Sequence, residues 1–225
     1  MPRRGAPRRR TETPEGLEAN FATNTLAPFA LTELLLPLLA KAQPQARVIA
    51  VSSGGQYTEE LVTEDLQWAK EGGFDGARQY ARDKRRQTAL TERWAVDHPS
   101  ILFFTMHPGW ADTDAVRTSL PQFYETLKAK LVRHVSLVMD TLPLRWLLSL
   151  ADAPCISLPQ RTPAEGADTV TWLCCADASK LRSGGFYFDR KETSQHLTFG
   201  GTTYAPERGT ELRAALRKLA KLDDA

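Results

Sequence analysis

Residues 47–55, RVIAVSSGG, carry the decision on fold class. The run Val48-Ile49-Ala50-Val51 predicts a short strand covered on both faces, as in a parallel sheet. Ser52-Ser53-Gly54-Gly55 then ends it as a strand-to-loop break. Downstream, ILFFTMH (101–107) is a second apolar run, closed by Pro108-Gly109. Between the two lies GARQYARDKRRQTALTERWAVDH (76–98), which has the length of a helix and stops at His98-Pro99. Strand, long helix and strand in that order predict an α/β layer with a parallel sheet, Rossmann-like and doubly wound.

The flanks extend this pattern. Residues 15–41 read as a helix through Leu17, Phe21, Leu26, Phe29, Leu34 and Leu38, with Pro28 and Pro37 as kinks or stops. Residues 56–76 read as loop with a short helix, and helical segments follow over 115–150. A loop carrying Pro154 and Pro159 leads to a helix start at Thr162, with Pro163 first in the helix and Glu165 completing a capping box. SGGFYFDR (183–190) predicts a late strand, and Glu207 to Leu222 a surface helix.

Composition narrows the classes. A hydrophobic content of 42% supports a core, and a net charge of +2 excludes a polycation. The tail MPRRGAPRRR and the residues up to 14 predict a disordered basic segment; no aromatic or basic surface downstream supports a nucleic-acid partner. Arginine enrichment there also fits a transit peptide weakly, since it lacks an apolar face. Three cysteines make no disulfide framework or zinc pattern, which predicts a reducing, cytoplasmic setting. Cys174-Cys175 read as a buried helix face, and the five tryptophans as packing. No run of about 18 apolar residues predicts a membrane span; the best candidate, 131–150, carries Arg133, His134, Asp140 and Arg145.

Chemistry gathers at the strand ends. Ser53 stands at the carboxyl end of the first strand, where open α/β sheets bind ligands. Tyr80 and Lys84 are four apart on the long helix, hence on one face. HPGWADT (107–113) follows the second strand end, and Asn24 lies in the first helix. Alone, a Tyr–Lys pair is most often a surface pair and Ser52-Ser53 strand-end caps. No G-x-S-x-G elbow points to a serine hydrolase.

Five segments in this order resemble the short-chain dehydrogenase/reductase family: NFATNTLAPFALTELLLPLL, RVIAVSSGG, YARDK, HPGWADT and TPAEGADTVTWL. The resemblance implies an NAD(P)-dependent oxidoreductase interconverting a carbonyl and an alcohol. It assigns Tyr80 as general acid or base, with Lys84 lowering its pKa and holding the nicotinamide ribose. It assigns Ser53 to the substrate oxygen and Asn24 to a water of the proton relay. Pro108, Gly109 and Thr113 match a PGxxxT element on the nicotinamide side of the cofactor. The substrate expected is a small hydrophobic carbonyl or alcohol compound.

The sequence also departs from the family. The glycine-rich turn that cradles a pyrophosphate is not found in the 23 residues before Asn24. Residues 15–225 are therefore expected to be the carboxyl-terminal two-thirds of such a domain, and 132–159 an insertion in its substrate region. The edge beside RVIAVSS is then expected to lie open, favouring a homo-oligomer or a covering partner. A catalytically inactive protein acting through association is the alternative reading.

Overall fold

A computed structural model describes residues 10–70, 72–114, 161–197 and 201–222. The helices expected over 115–150 and the insertion expected over 132–159 lie outside them. Among the described residues four strands form one sheet in the order β1 (Arg47–Val51), β2 (Leu102–Met106), β3 (Gly185–Phe188), β4 (Lys191–Thr193). The first three are parallel, with Val51 opposite Met106 and Phe104 opposite Gly185. β4 returns antiparallel to β3. Asp189 and Arg190 expected within the strand form its turn instead, both at positive φ.

Alternation along β2 divides the core. Phe103 faces a cluster with Phe21, Phe29, Leu90, Trp94, Leu212 and Leu216, while Leu102, Phe104 and Met106 face Leu173 and Tyr187. The first cluster is covered by α1 (Ala19–Phe21) and α2 (Ala27–Leu39), by α3 (Gly76–Asp97) and by α5 (Pro206–Leu219). Phe29, Trp94 and Phe103 stack in series at ring separations of 5.8 and 5.9 Å. Truncating Phe103 there removes about 3–5 kcal/mol.

The second cluster is covered by α4 (Pro163–Cys175), which opens with the capping box of Thr162 and Glu165. Its inward stripe is Gly166, Thr169 and Leu173, three or four residues apart. That spacing turns Cys174 and Cys175 outward, and both are exposed, against the expectation of a buried face. Arg47, at the start of β1, ties the layers by donating to the carbonyls of Leu173 (2.6 Å) and Ala176 (2.7 Å) at the end of α4.

Three further expectations change. Residues 10–14 are not free: Arg10 donates to the Gln67 carbonyl, and Ala19 N–H to the Thr11 carbonyl. α5 is no mere surface helix, because Leu212 and Leu216 are fully buried and Arg213 and Arg217 reach the buried carboxylate of Glu33 on α2. The helical stretch Ala19–Leu39 is long and apolar enough, by length and composition, to cross a membrane. Here it packs Phe21, Phe29 and Glu33 inward and leaves Leu31, Leu34, Leu35 and Leu38 exposed. Among the described residues β1 is paired on one side only, and Val51 at its end is exposed.

Candidate active site

Pro28 shapes the first wall of the site. In α-helical register its amide hydrogen would serve the Asn24 carbonyl, and proline has none. The helix widens there into a π turn over Ala22–Leu26 rather than kinking at Pro28. Gln87 Nε2 on α3 donates to that Asn24 carbonyl at 2.6 Å. The Asn24 side chain itself donates to the Asn20 carbonyl at 3.0 Å.

The second wall is the end of β1. Ser52 N–H continues the ladder to the Met106 carbonyl (2.7 Å), while its hydroxyl donates to the Lys84 carbonyl (3.0 Å) and fixes α3 against the strand. Ser53 is extended and accepts from Gly55 N–H at 3.1 Å, opening a 3₁₀ turn over Gly54–Thr58. Its hydroxyl faces the Tyr80 phenol closely enough to favour the phenolate. The strand-cap role and the site role thus belong to one side chain.

α3 supplies the third wall. Asp75 caps it by accepting from Ala77 and Arg78 N–H. One turn in, Tyr80 lies beside Ser53, and one turn further Lys84 donates to the Val51 carbonyl at 2.9 Å and to Gln87 Oε1 at 3.4 Å. The Lys84 ammonium stands 5.4 Å from the centre of the Tyr80 ring. Burial pulls the Lys84 ammonium down to about 8, with the neighbouring Asp83 carboxylate opposing. Burial pushes the Tyr80 phenol up, and the Ser53 hydroxyl only moderates this. In the chain by itself withdrawal from water is the larger influence, and the phenol is protonated at neutral pH.

The structure gathers Ser53, Tyr80 and Lys84, and joins Asn24 to them through Gln87. Pro108, Gly109 and Thr113 sit on the loop leaving β2 and are held from another direction. Gly109 has φ near +73°, and a Cβ there would lie 2.5 Å from the Arg161 guanidinium. Arg161 N–H donates to the Trp110 carbonyl, and its own carbonyl accepts from Asp112 N–H. Its guanidinium pairs with both Asp189 oxygens at 2.6 and 2.7 Å. Close packing of Gly166 on Ala111 holds the loop against α4.

His107 ends β2, and a Cβ on Gly54 would meet its Nε2 at 3.3 Å. Burial, aided by the Arg161 charge, pulls His107 down to about 4, so the ring is neutral and its Nδ1 accepts from Gly109 N–H. Gln87 and Arg161 were not singled out in the sequence. For Gln87 the available signal was spacing: it lies three residues after Lys84 and seven after Tyr80, on the same helical face.

A nicotinamide dinucleotide fits part of this arrangement. Lys84 has three N–H donors and spends two on Val51 and Gln87, leaving one for a ribose hydroxyl. No G-x-x-x-G-x-G turn occurs in the 225 residues, so the fit concerns the nicotinamide half.

No family model matches the chain. It is 41% identical over 214 residues to dehydrogenase/reductase SDR family member 12 of Bos taurus, covering 95% of this chain and 58% of that protein. Retinol dehydrogenase 14 of Mus musculus is 31% identical over 184 residues, covering 81% of this chain and 47% of that protein. The crystal structure of an uncharacterized protein from Mycobacterium paratuberculosis shares the fold, with a TM-score of 0.55 at 18% identity. That match covers 95% of this chain and 62% of the other. The chain spans about half the length of the curated relatives it matches.

Proposed function

The chain belongs to the short-chain dehydrogenase/reductase family, and on that premise we propose that it interconverts a carbonyl and an alcohol, with Tyr80 as the proton-transferring group. The observation that carries this reading is the cluster of Ser53, Tyr80 and Lys84 at the carboxyl end of β1. NAD(P), when bound, supplies or removes the hydride. Lys84, Tyr80, Pro108, Gly109 and Thr113 would hold its nicotinamide half.

Each residue has a physical part. Tyr80 holds its proton at neutral pH because it is buried, which suits donation to a carbonyl oxygen as that oxygen gains negative charge. Ser53, beside the phenol, favours the phenolate left behind. Lys84, charged below about pH 8, stabilises the same phenolate across the ring. In the reverse direction the same two groups favour the phenolate that accepts the proton of the alcohol. One relative is named a retinol dehydrogenase, and we extend to this chain a hydrophobic carbonyl or alcohol as substrate.

The test is aldehyde-dependent oxidation of NADPH and of NADH by the purified chain, with retinal and medium-chain aldehydes. Tyr80→Phe keeps the ring and removes the proton; a loss of about a hundred- to ten-thousand-fold is expected. A folded chain without turnover, or a Tyr80→Phe variant as active as the parent, overturns the reading. The first outcome would favour the association-only alternative, for which the exposed leucines of α2 supply a surface.

A further inference from the structure

The geometry points to Gln87 as a positioning residue, one that holds the Lys84 ammonium in place by bridging it to the backbone carbonyl of Asn24. This assignment rests on the acid–base reading of Tyr80 and Lys84 and adds to it. Three observations carry it. Gln87 Nε2 donates to the Asn24 carbonyl at 2.6 Å, a tight bond that fixes which end of the amide is which. The other end, Oε1, then faces Lys84 Nζ at 3.4 Å. Gln87 itself is buried, so water does not compete freely for either end.

The arrangement begins in the sequence at Pro28. Because proline lacks an amide hydrogen, the Asn24 carbonyl has no α-helical donor at that position, and the side chain of Gln87 takes the role. An amide can orient an ammonium but is a poor carrier of protons. In this chain the link between Lys84 and Asn24 is therefore a brace, whereas the resemblance assigns Asn24 to a water of a proton relay.

The surroundings make the brace matter. No ion pair of Lys84 is found among the described residues; β1 offers it the Val51 carbonyl, the π turn reaches it only through Gln87, and Tyr80 is neutral. Asp83, next to it on α3, is the charge that favours its protonated form, and burial opposes. Two neutral oxygens thus hold the ammonium in place.

The experiment follows the Lys84 side-chain resonances by NMR against pH in the parent chain, in Gln87→Leu and in Gln87→Glu, beside the pH profile of turnover. The parent is expected to titrate near 8. Gln87→Leu removes the acceptor at similar volume and lowers that midpoint by about half to one pH unit, a three- to tenfold change in ionisation constant. The basic limb of kcat moves down with it. Gln87→Glu keeps an acceptor and moves both upward, which a purely structural role would not do, and it serves if the leucine variant does not fold. An unmoved Lys84 midpoint in both variants overturns the assignment. A moved midpoint with an unmoved kcat limb also overturns it as a positioning role. A moved midpoint with no turnover from any chain sinks the proposed function and leaves the brace standing.

Discussion

Lys84 and Arg86 sit two residues apart on α3, both cut off from solvent, and their partners differ in kind. Arg86 pairs with Asp83 at 2.8 Å, both side chains fully buried, and also donates to the Leu66 and Val62 carbonyls. Asp83 in turn accepts from Thr25 on the π turn and from Gln79. On that side of the helix charge meets opposite charge, although Arg86 Nη2 and Gln79 Oε1 are buried without a partner. Lys84 is paired with two neutral oxygens and keeps a donor in reserve. A buried charge paired with an opposite charge holds a fold together, whereas one that meets only neutral oxygens is poised to act on something that arrives.

Substitution can break this contrast from either side. Arg86→Ala strands the Asp83 carboxylate in the core and is expected to cost about 3–5 kcal/mol in urea denaturation. Replacing both partners, Arg86→Met with Asp83→Leu, should recover most of that loss. If the single variant unfolds at the parent's urea midpoint, the network is not what binds α3 to the π turn. Lys84→Met should behave oppositely and leave stability within about 1 kcal/mol of the parent at pH 7, since it removes an incompletely compensated charge.

A sharper form of the second prediction uses pH. The folded-state value of Lys84 lies below its unfolded value, so between about 8 and about 10 the unfolded chain binds more protons at this group. Lys84 therefore makes the parent gain stability as pH rises through that window, by an amount absent from Lys84→Met. Thermal melts at pH 7.5, 8.5 and 9.5 would read it. Parallel curves for the two proteins would contradict the burial assigned to Lys84.

The same stretch shows what a sequence can disclose. DKRR reads equally as a solvated basic face or as a buried one, because some of the groups that bury it lie far along the chain. Arg85, for instance, donates to the Gln195 carbonyl across 110 positions. β1, β2 and α3 were legible because their apolar runs end at glycine or proline and their lengths differ by class. β4 was not: it is three residues long and polar, and its turn uses Asp189 and Arg190 at positive φ without a glycine signal. Nothing local marks Glu33 within its apolar helix, yet Trp94, Arg213 and Arg217 bind it. Ser53, Tyr80 and Lys84 stood out by position at a strand end and by helical spacing. Gln87 did not, because its meaning depends on a carbonyl 63 residues away that Pro28 leaves without an α-helical donor.

The most direct test of the central claim is equilibrium binding of NADH and NADPH to the purified 225-residue chain, read by nucleotide fluorescence, beside Lys84→Met. The account predicts saturable binding of one or both nucleotides, weakened at least about tenfold in Lys84→Met, since a hydrogen bond from a charged donor is worth about 1.5–3 kcal/mol. A folded parent that binds neither nucleotide, or a variant that binds as well as the parent, would contradict it.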